Sequence, residues 1–489
     1  MSPGAGAARA GAAGAETALR SALFRGARGP RFELAVGTAR ALRWLDRRTD
    51  TRIDTSRAGR ALLAAAPDAL HALAGRLPGG CALVTGTNGK TTTTHLLAGV
   101  LRAAGRDPVV NRAGANMPGG ICADLVGAAR RGRVAGDLGV FEVDELWLDR
   151  IVPPLVPEVL VLGNLFRDQL DRTGELDRVT RRWQDLVAHL PATTALVVNA
   201  DDPRVCQLAA PHPRRIHVGL GHHDRTTPPV HADVPDCLRC GARLGYDGAH
   251  IGHLGRWSCP GCGDARPAAL DVEATALDLD GLQGATFTLA VRGPTGATTT
   301  HGVHLVPPGR FNVANAVAAA GAALALGVAA PTIATGLSGT PSAFGRGEHL
   351  TVGHQALSLV LAKNPTGLDE VVGMLSAGEE PLDLLILLND GELDGRDVSW
   401  IWDADLERLA PRVARVTCGG GRAAEMALRL DHAGIAPERI EVVDGIAAAT
   451  GRALARAAGG PVVAVTNYSA MLDLRETLAE RGHAARYWA

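Results

Sequence analysis

From residue 81 onward, short apolar runs that stop on glycine, asparagine or acids alternate with stretches of helical spacing. "ALVTG", "LGVFEVDE", "EVLVLGN", "TALVVNADD" and "RIHVGL" each have the length of one strand. Strands alternating with helices predict a parallel α/β sheet. Ahead of them, residues 34–77 place Leu, Ala and Arg at helical spacing and predict one or two amphipathic helices. "THGVHLVPPGRFNVANAVAAAGAALALGV" predicts a strand, a turn and an alanine-rich helix. After "TPSAFGRGE" (340–348) a second alternation begins, with "PLDLLILLND", "RVARVTCG", "RIEVVDG" and "GPVVAVTNYS" as strands. It predicts a separate C-terminal α/β domain of about 140 residues, an ordinary domain size. Residues 232–266 interrupt the rhythm with Cys, Gly and Pro, and there is no internal repeat or heptad pattern. The expected organisation is a disordered Ala/Gly/Arg-rich tail (1–33), N-terminal helices with a central domain (34–345) and a C-terminal domain (346–489).

Composition narrows the function. The formal net charge of 489 residues is -1, so no global basic field recruits nucleic acid or anionic membrane. Aromatics at 3% leave few platforms for stacking bases. No run of 18 apolar residues suggests a membrane span, and the first 30 residues lack the apolar core of a secretory signal. The most informative bias is in the cations: of 50 Lys+Arg residues only two are lysines, Lys90 and Lys363. Where arginine has replaced nearly every lysine, the two that remain mark places that want a compact ammonium.

Lys90 lies in "ALVTGTNGKTTTTHLL", a glycine-rich turn between an apolar strand and a helix. Gly86 and Gly89 let the backbone curl so that the N–H groups of Thr87, Asn88 and their neighbours face a phosphate at the positive end of the following helix. Lys90 can reach the β- and γ-phosphates and the Thr91 hydroxyl can ligate Mg2+, with Thr92 completing the nucleotide-binding stretch. The bland alternative is a tight turn with a solvated lysine. "GVFEVDE" ends an apolar strand in Glu142, Asp144 and Glu145. Acids at the carboxyl end of a parallel strand stand near the ligand crevice, and Glu142 is the candidate for Mg2+; an ordinary acidic turn is the alternative.

Eight cysteines divide into two sets. Cys81, Cys122, Cys206 and Cys418 are scattered and read as buried thiols. Cys237-x-x-Cys240 and Cys259-x-x-Cys262, 18 residues apart, fit a closed four-cysteine zinc ribbon in a reducing cytoplasm. A pair of disulfides or a lost metal is the alternative. His250 and His253 lie between the knuckles and are bystanders, because four thiolates already fill the shell.

"TGTNGKTTT", "NRAGANMPGGI", "FEVDE", "NLFRDQLDR", "NADDP" and "RFNVANAVAA" together resemble the central ATPase domain of the Mur ligases. The four-cysteine insertion, "LAKNPTG" and "NDGELDGRDVSWIWDAD" resemble more narrowly the MurT-type subunits of lipid II isoglutaminyl synthase, from about residue 35 to the end. The resemblance implies a P-loop central domain with a parallel sheet and zinc-ribbon insertion, followed by a Rossmann-like C-terminal domain. It implies an ATP-dependent carbon–nitrogen ligase of peptidoglycan synthesis, working in the cytoplasm at the inner face of the membrane. ATP would activate the α-carboxylate of D-glutamate in the lipid II stem peptide as an acyl phosphate. Ammonia from a GatD-type glutaminase subunit would then give D-isoglutamine.

By motif, Lys90 and Thr91 would handle phosphates and Mg2+, Glu142 would hold Mg2+, Asn315 would contact adenine and Arg346 would touch the nucleotide from the hinge. Asp397, in a polar loop that composition alone makes a solvated one, would complete the glutaminase's catalytic triad. Trp400 and Trp402 beside it suggest an anchored or contacting segment. The chain departs from other Mur ligases in two ways. Only short N-terminal helices stand where those enzymes grip a UDP-sugar, and no lysine between Lys90 and Lys363 can serve as the carbamylated lysine many of them use. Two other readings are a Mur-type amino-acid ligase of the folylpolyglutamate kind and a zinc-ribbon nucleic-acid-binding NTPase. The first leaves the ribbon unexplained, and the second lacks a basic surface.

Overall fold

The computed structural model describes residues 29–48, 56–111, 114–167, 175–221, 233–293, 295–391, 394–457 and 460–484. Most of the predicted tail lies outside the described residues. The helix expected from residue 34 begins at Pro30, whose fixed φ suits a first helical turn. Among the described residues of the N-terminal segment there are three helices instead of one or two: Pro30–Arg48, Arg57–Ala65 and Ala69–Ala74.

The chain forms two compact units. One gathers the chain up to Leu83 with Arg106–Glu158. In it the N-terminal helices pack on helix Pro118–Ala128, closely enough that a Cβ at Gly59 would collide with the Gly119 carbonyl. Arg43 pairs with Asp124 across this contact. Strands Pro108–Val110 and Leu138–Glu142 run parallel.

The second unit gathers Val84–Gly105 with Val159 onward. Strands Val159–Leu162, Ala195–Asn199, Arg215–Leu220 and Val272–Leu279 pair in parallel in that order. The first two are buried throughout, as sheets covered on both faces require. The sheet is not parallel throughout, however: Ala285–Arg292 pairs antiparallel with Val272–Leu279, and Thr298–Leu305 pairs antiparallel with Ala285–Arg292. Side chains of Ala285–Arg292 alternate between buried and accessible, the period of a strand with one covered face, and Thr298–Leu305 does so only at its end, where Val303 and Leu305 are buried. Helix Arg310–Ala325, rich in alanine, packs against the sheet.

The C-terminal portion of the same unit has its own six-stranded sheet. Its order is Glu348–Val352, Gln355–Leu361, Val462–Thr466, Leu382–Leu387, Val413–Gly419, Ile440–Val442, parallel except at the first strand. Apolar clusters cover it on two faces, one around Leu384, Ile401 and Leu430 and one around Leu385, Leu359 and Leu474. The fold is therefore α/β. No helix among the described residues is long and apolar enough to cross a membrane.

Candidate functional site

Strand Cys81–Thr85 delivers the chain into the glycine turn, and helix Lys90–Ala103 leaves it. Gly86 and Gly89 both have positive φ, and Gly89 in the left-handed region is the N-cap of the helix. The Asn315 amide presses on Gly89 so closely that no Cβ fits there. Asn315 also donates to Asn312 Oδ1 at 3.2 Å, so its amide is anchored on its own helix. The structure thus brings Asn315 to the loop itself. Gly89→Ala should combine backbone strain with this collision and weaken ADP binding by ~10-fold or more. Calorimetric titration of ADP·Mg checks it, and wild-type affinity would refute the loop's role.

Lys90 is buried, and its ammonium donates to the Gly86 carbonyl at 2.6 Å and to that of Thr87 at 3.1 Å. It is therefore held over the loop and is not a solvated lysine. Residues 163–166 run alongside as a strap. Gly163 N donates to Thr85 O, Thr87 N to Asn164 O, and Asn88 N to Asn164 Oδ1, at 2.9 Å each. The Thr87 hydroxyl accepts from Phe166 N and donates to Phe166 O. Asn88 further pairs amide to amide with Asn364, which caps helix Pro365–Ser376 of the C-terminal portion. Asn164, Phe166 and Asn364 are site residues that the motif reading missed. Only the "NLF" and "KNP" segments of the quoted motifs pointed toward them.

Arg346 lies between Gly345 and Gly347, both with positive φ, in the turn that leads into the C-terminal sheet. A Cβ at Gly347 would collide with Pro308, so the turn packs tightly where it leaves the central portion. In the other unit, Glu142 ends its strand buried, its carboxylate accepting from Asn116 Nδ2 at 3.3 Å. Asn111 brackets its backbone, accepting from Glu142 N and donating to Glu142 O. Asp144 instead accepts from Leu146 N and shapes the following turn, so the three acids are not equivalent.

The sulfurs of Cys237, Cys240, Cys259 and Cys262 all lie within 4.8 Å of one another. Cys237–Cys262 and Cys240–Cys259 are separated by 3.8 and 3.4 Å. These are tetrahedral-edge lengths for Zn–S bonds of ~2.3 Å, which give edges near ~3.8 Å, and not disulfide lengths. The donor set fits zinc. Cys259 is drawn down to about 7: burial raises it, but backbone N–H groups of Cys262 and Gly261 and the neighbouring thiols outweigh that. Among the scattered cysteines, burial pushes Cys122, Cys206 and Cys418 up to about 12, which makes them inert packing groups.

Asp397 is exposed, and its Oδ1 accepts from Ser399 N at 2.9 Å to start the 3-10 turn Ser399–Asp403. Asp394 holds the same loop down: buried, it accepts from Ser469 N at the start of the last helix, and burial raises its carboxyl. The two tryptophans divide their roles. Trp400 is core, whereas Trp402 remains 46% exposed, with the Arg429 guanidinium 5.3 Å from its ring centre and His432 edge-on at 5.4 Å.

The chain matches the Mur ligase middle domain over residues 84–232 and the MurT ligase C-terminal family over residues 361–471. It is 31% identical over 402 residues to the lipid II isoglutaminyl synthase (glutamine-hydrolyzing) subunit MurT of Streptococcus pneumoniae (strain ATCC BAA-255 / R6), covering 82% of this chain and 87% of that one. Identity to the corresponding MurT subunit of Staphylococcus aureus (strain COL) is 29%, over 81% of this chain and 86% of that one. Among solved structures, MurF from Acinetobacter baumannii is similar with a TM-score of 0.61 at 19% identity, over 88% of this chain and 82% of that one. Mycobacterium tuberculosis folylpolyglutamate synthase, solved with ADP and AMPPCP, is similar with a TM-score of 0.58 at 14% identity, over 86% of this chain and 95% of that one. These two likenesses concern the fold.

Proposed function

The chain belongs to the MurT subunits of the Mur ligase family, and from that premise we propose that it is the ATP-dependent amidating subunit of a glutamine-hydrolysing lipid II isoglutaminyl synthase. Its substrate is the D-glutamate α-carboxylate of the lipid II stem peptide, and its partner is a GatD-type glutaminase that supplies ammonia. The reaction takes place on the cytoplasmic side of the membrane. The observation that carries the reading is Lys90, a buried ammonium on a glycine turn at a helix start, in a chain otherwise almost free of lysine.

A carboxylate is a poor electrophile, and its attack on the γ-phosphate of ATP brings two anions together. Lys90 and the N–H groups at the helix start, Gly89–Thr92, lower that barrier by holding the phosphates where charge develops, while those of Thr87 and Asn88 are taken up by the Asn164 strap. Thr91 is proposed as one Mg2+ ligand and Glu142 as a carboxylate ligand; when bound, the ion neutralises phosphate charge. Ammonia then attacks the acyl phosphate and phosphate leaves. Asn315 supports the nucleotide site through Gly89, and Arg346 contacts the nucleotide from the turn before the C-terminal sheet. Cys237, Cys240, Cys259 and Cys262 hold a structural Zn2+. The amino-acid-adding alternative shares the fold but gives no role to the cysteine cluster or to the segment carrying Asp397.

The direct test is ATP hydrolysis and amidation of lipid II, with ammonium salt or with glutamine plus the partner. ATP turnover that ignores lipid II but responds to a folate and glutamate would favour the alternative. For the metal, Cys240→Ser should take zinc from about one per chain to near none and lower the melting temperature, because metal binding and local folding are linked. Elemental analysis and calorimetry check both. A metal-free wild type as stable as the variant would exclude a structural zinc.

A further inference from the structure

Two elements run from the cysteine cluster to the phosphate loop. Helix Pro203–Ala209 carries Gln207, whose amide donates to Cys237 Sγ at 3.1 Å and accepts from Leu238 N at 2.9 Å. At its other end Asp202 caps the helix with Oδ1 and accepts from Leu165 N, in the loop strap, with Oδ2 at 2.8 Å. The second element is the hairpin Gly245–Ile251 and Leu254–Ser258, whose last strand runs straight into Cys259. It is docked by Trp257 Nε1, which donates to Ala200 O, and by Gly255 N, which donates to Asp201 O.

The hairpin tip reaches the strap. Gly252, with positive φ, has the Phe166 and Thr366 side chains close against the place a Cβ would take, and His253 follows it. The His253 ring packs on Phe166 at 4.7 Å between centres, with an interplanar angle of 56°. Its Nε2 stands 3.6 Å from Asp202 Oδ2, with His253 1% and Asp202 0% exposed. Neither ring nitrogen makes a hydrogen bond among the described residues. Burying an imidazole this way costs free energy that an apolar filler would not. The imidazole adds to the ring contact a nitrogen facing the carboxylate that fixes Leu165.

We propose that His253 is a positioning residue for the ATP loop, with the cysteine cluster as its anchor. Its ring wedges Phe166, which the Thr87 hydroxyl clips to the loop, while its nitrogen faces the Asp202 cap. The ribbon is thus a strut of the nucleotide site. The proposal rests on the reading of Gly86–Thr92 as a nucleotide loop.

The test uses the zinc-loaded full chain as wild type, His253→Ala and His253→Phe, titrated with ADP·Mg. His253→Ala should weaken ADP binding ~10-fold, at the scale of ordinary coupling between sites. The KM for ATP should rise likewise with kcat little changed, and zinc should stay at about one per chain. His253→Phe, which keeps the ring contact, should recover part of that loss. In the wild type, saturating ADP should raise zinc affinity against a competing chelator, because coupling is reciprocal. Wild-type ADP affinity in His253→Ala would overturn the proposal. So would a zinc affinity that ADP leaves unmoved, a measurement that needs no variant to fold. A wild type that binds no ADP overturns the loop reading and this role together, whereas tight wild-type binding matched by the alanine variant removes only the role of His253.

Discussion

Replacing Lys90 with arginine is expected to cut lipid II-dependent ATP hydrolysis, measured with free ammonia, by ~100-fold or more, the scale of losing one charge-stabilising donor. The Lys90 ammonium fits between the Gly86 and Thr87 carbonyls at 2.6 and 3.1 Å, and the residue is 8% exposed. A guanidinium is wider, planar and fixed in its donor directions, so it cannot take the same place without moving the loop that the strap holds. The substitution keeps the charge, so a loss reports on geometry. ADP affinity measured alongside separates a loop that no longer binds from one that binds but does not react. Near-normal turnover would remove Lys90 from the mechanism.

Asp397→Asn should separate two activities. Amidation driven by glutamine through the partner should fall by roughly 10²–10⁴-fold, while the reaction fed with ammonium salt should persist, because the ATP loop is untouched. The physical reason is the role of a carboxylate beside an imidazole: it fixes the tautomer and stabilises the imidazolium formed next to the thiolate. The Asp397 side chain is presented on the surface, one oxygen bonded to Ser399 N, in a loop that Asp394 fastens to the last helix. Trp402 beside it offers a large exposed ring, of the kind enriched at interface centres. Asparagine can still accept from Ser399 N, so the loop should hold and the complex should assemble. If both activities fall together, Asp397 serves the ligase site or folding and is not the partner's third catalytic member.

Much of the site was legible because its signals are local. The glycine turn, the lysine and the threonines fall within "GTNGKTT", and the knuckle spacing announced a four-thiolate cluster whose sulfurs the structure brings within 4.8 Å of one another. The loop of Asp397 was legible only through resemblance, since by itself an acidic turn carries no chemistry. Trp400 and Trp402 could not be told apart by sequence. Two positions apart in a 3-10 turn they face different ways, and burial alone decided that one is core and the other surface.

By itself the sequence determined the α/β alternation, the glycine turn between strand and helix and the cysteine cluster, since each depends on residues a few positions apart whose periodicity or spacing is itself the physical requirement. It did not reveal the antiparallel pairing of Val272–Leu279 with Ala285–Arg292, because the alternation of Ala285, Phe287, Leu289 and Val291 marks a covered face but names no partner strand. Only the tertiary structure decided that Asn315 meets Gly89, that Asn88 meets Asn364 and that His253 meets Phe166. Those partners are separated by many tens to hundreds of residues, and close packing rather than local propensity selects them. A histidine between two zinc knuckles reads as a bystander until the hairpin is folded and its tip is found against the loop strap.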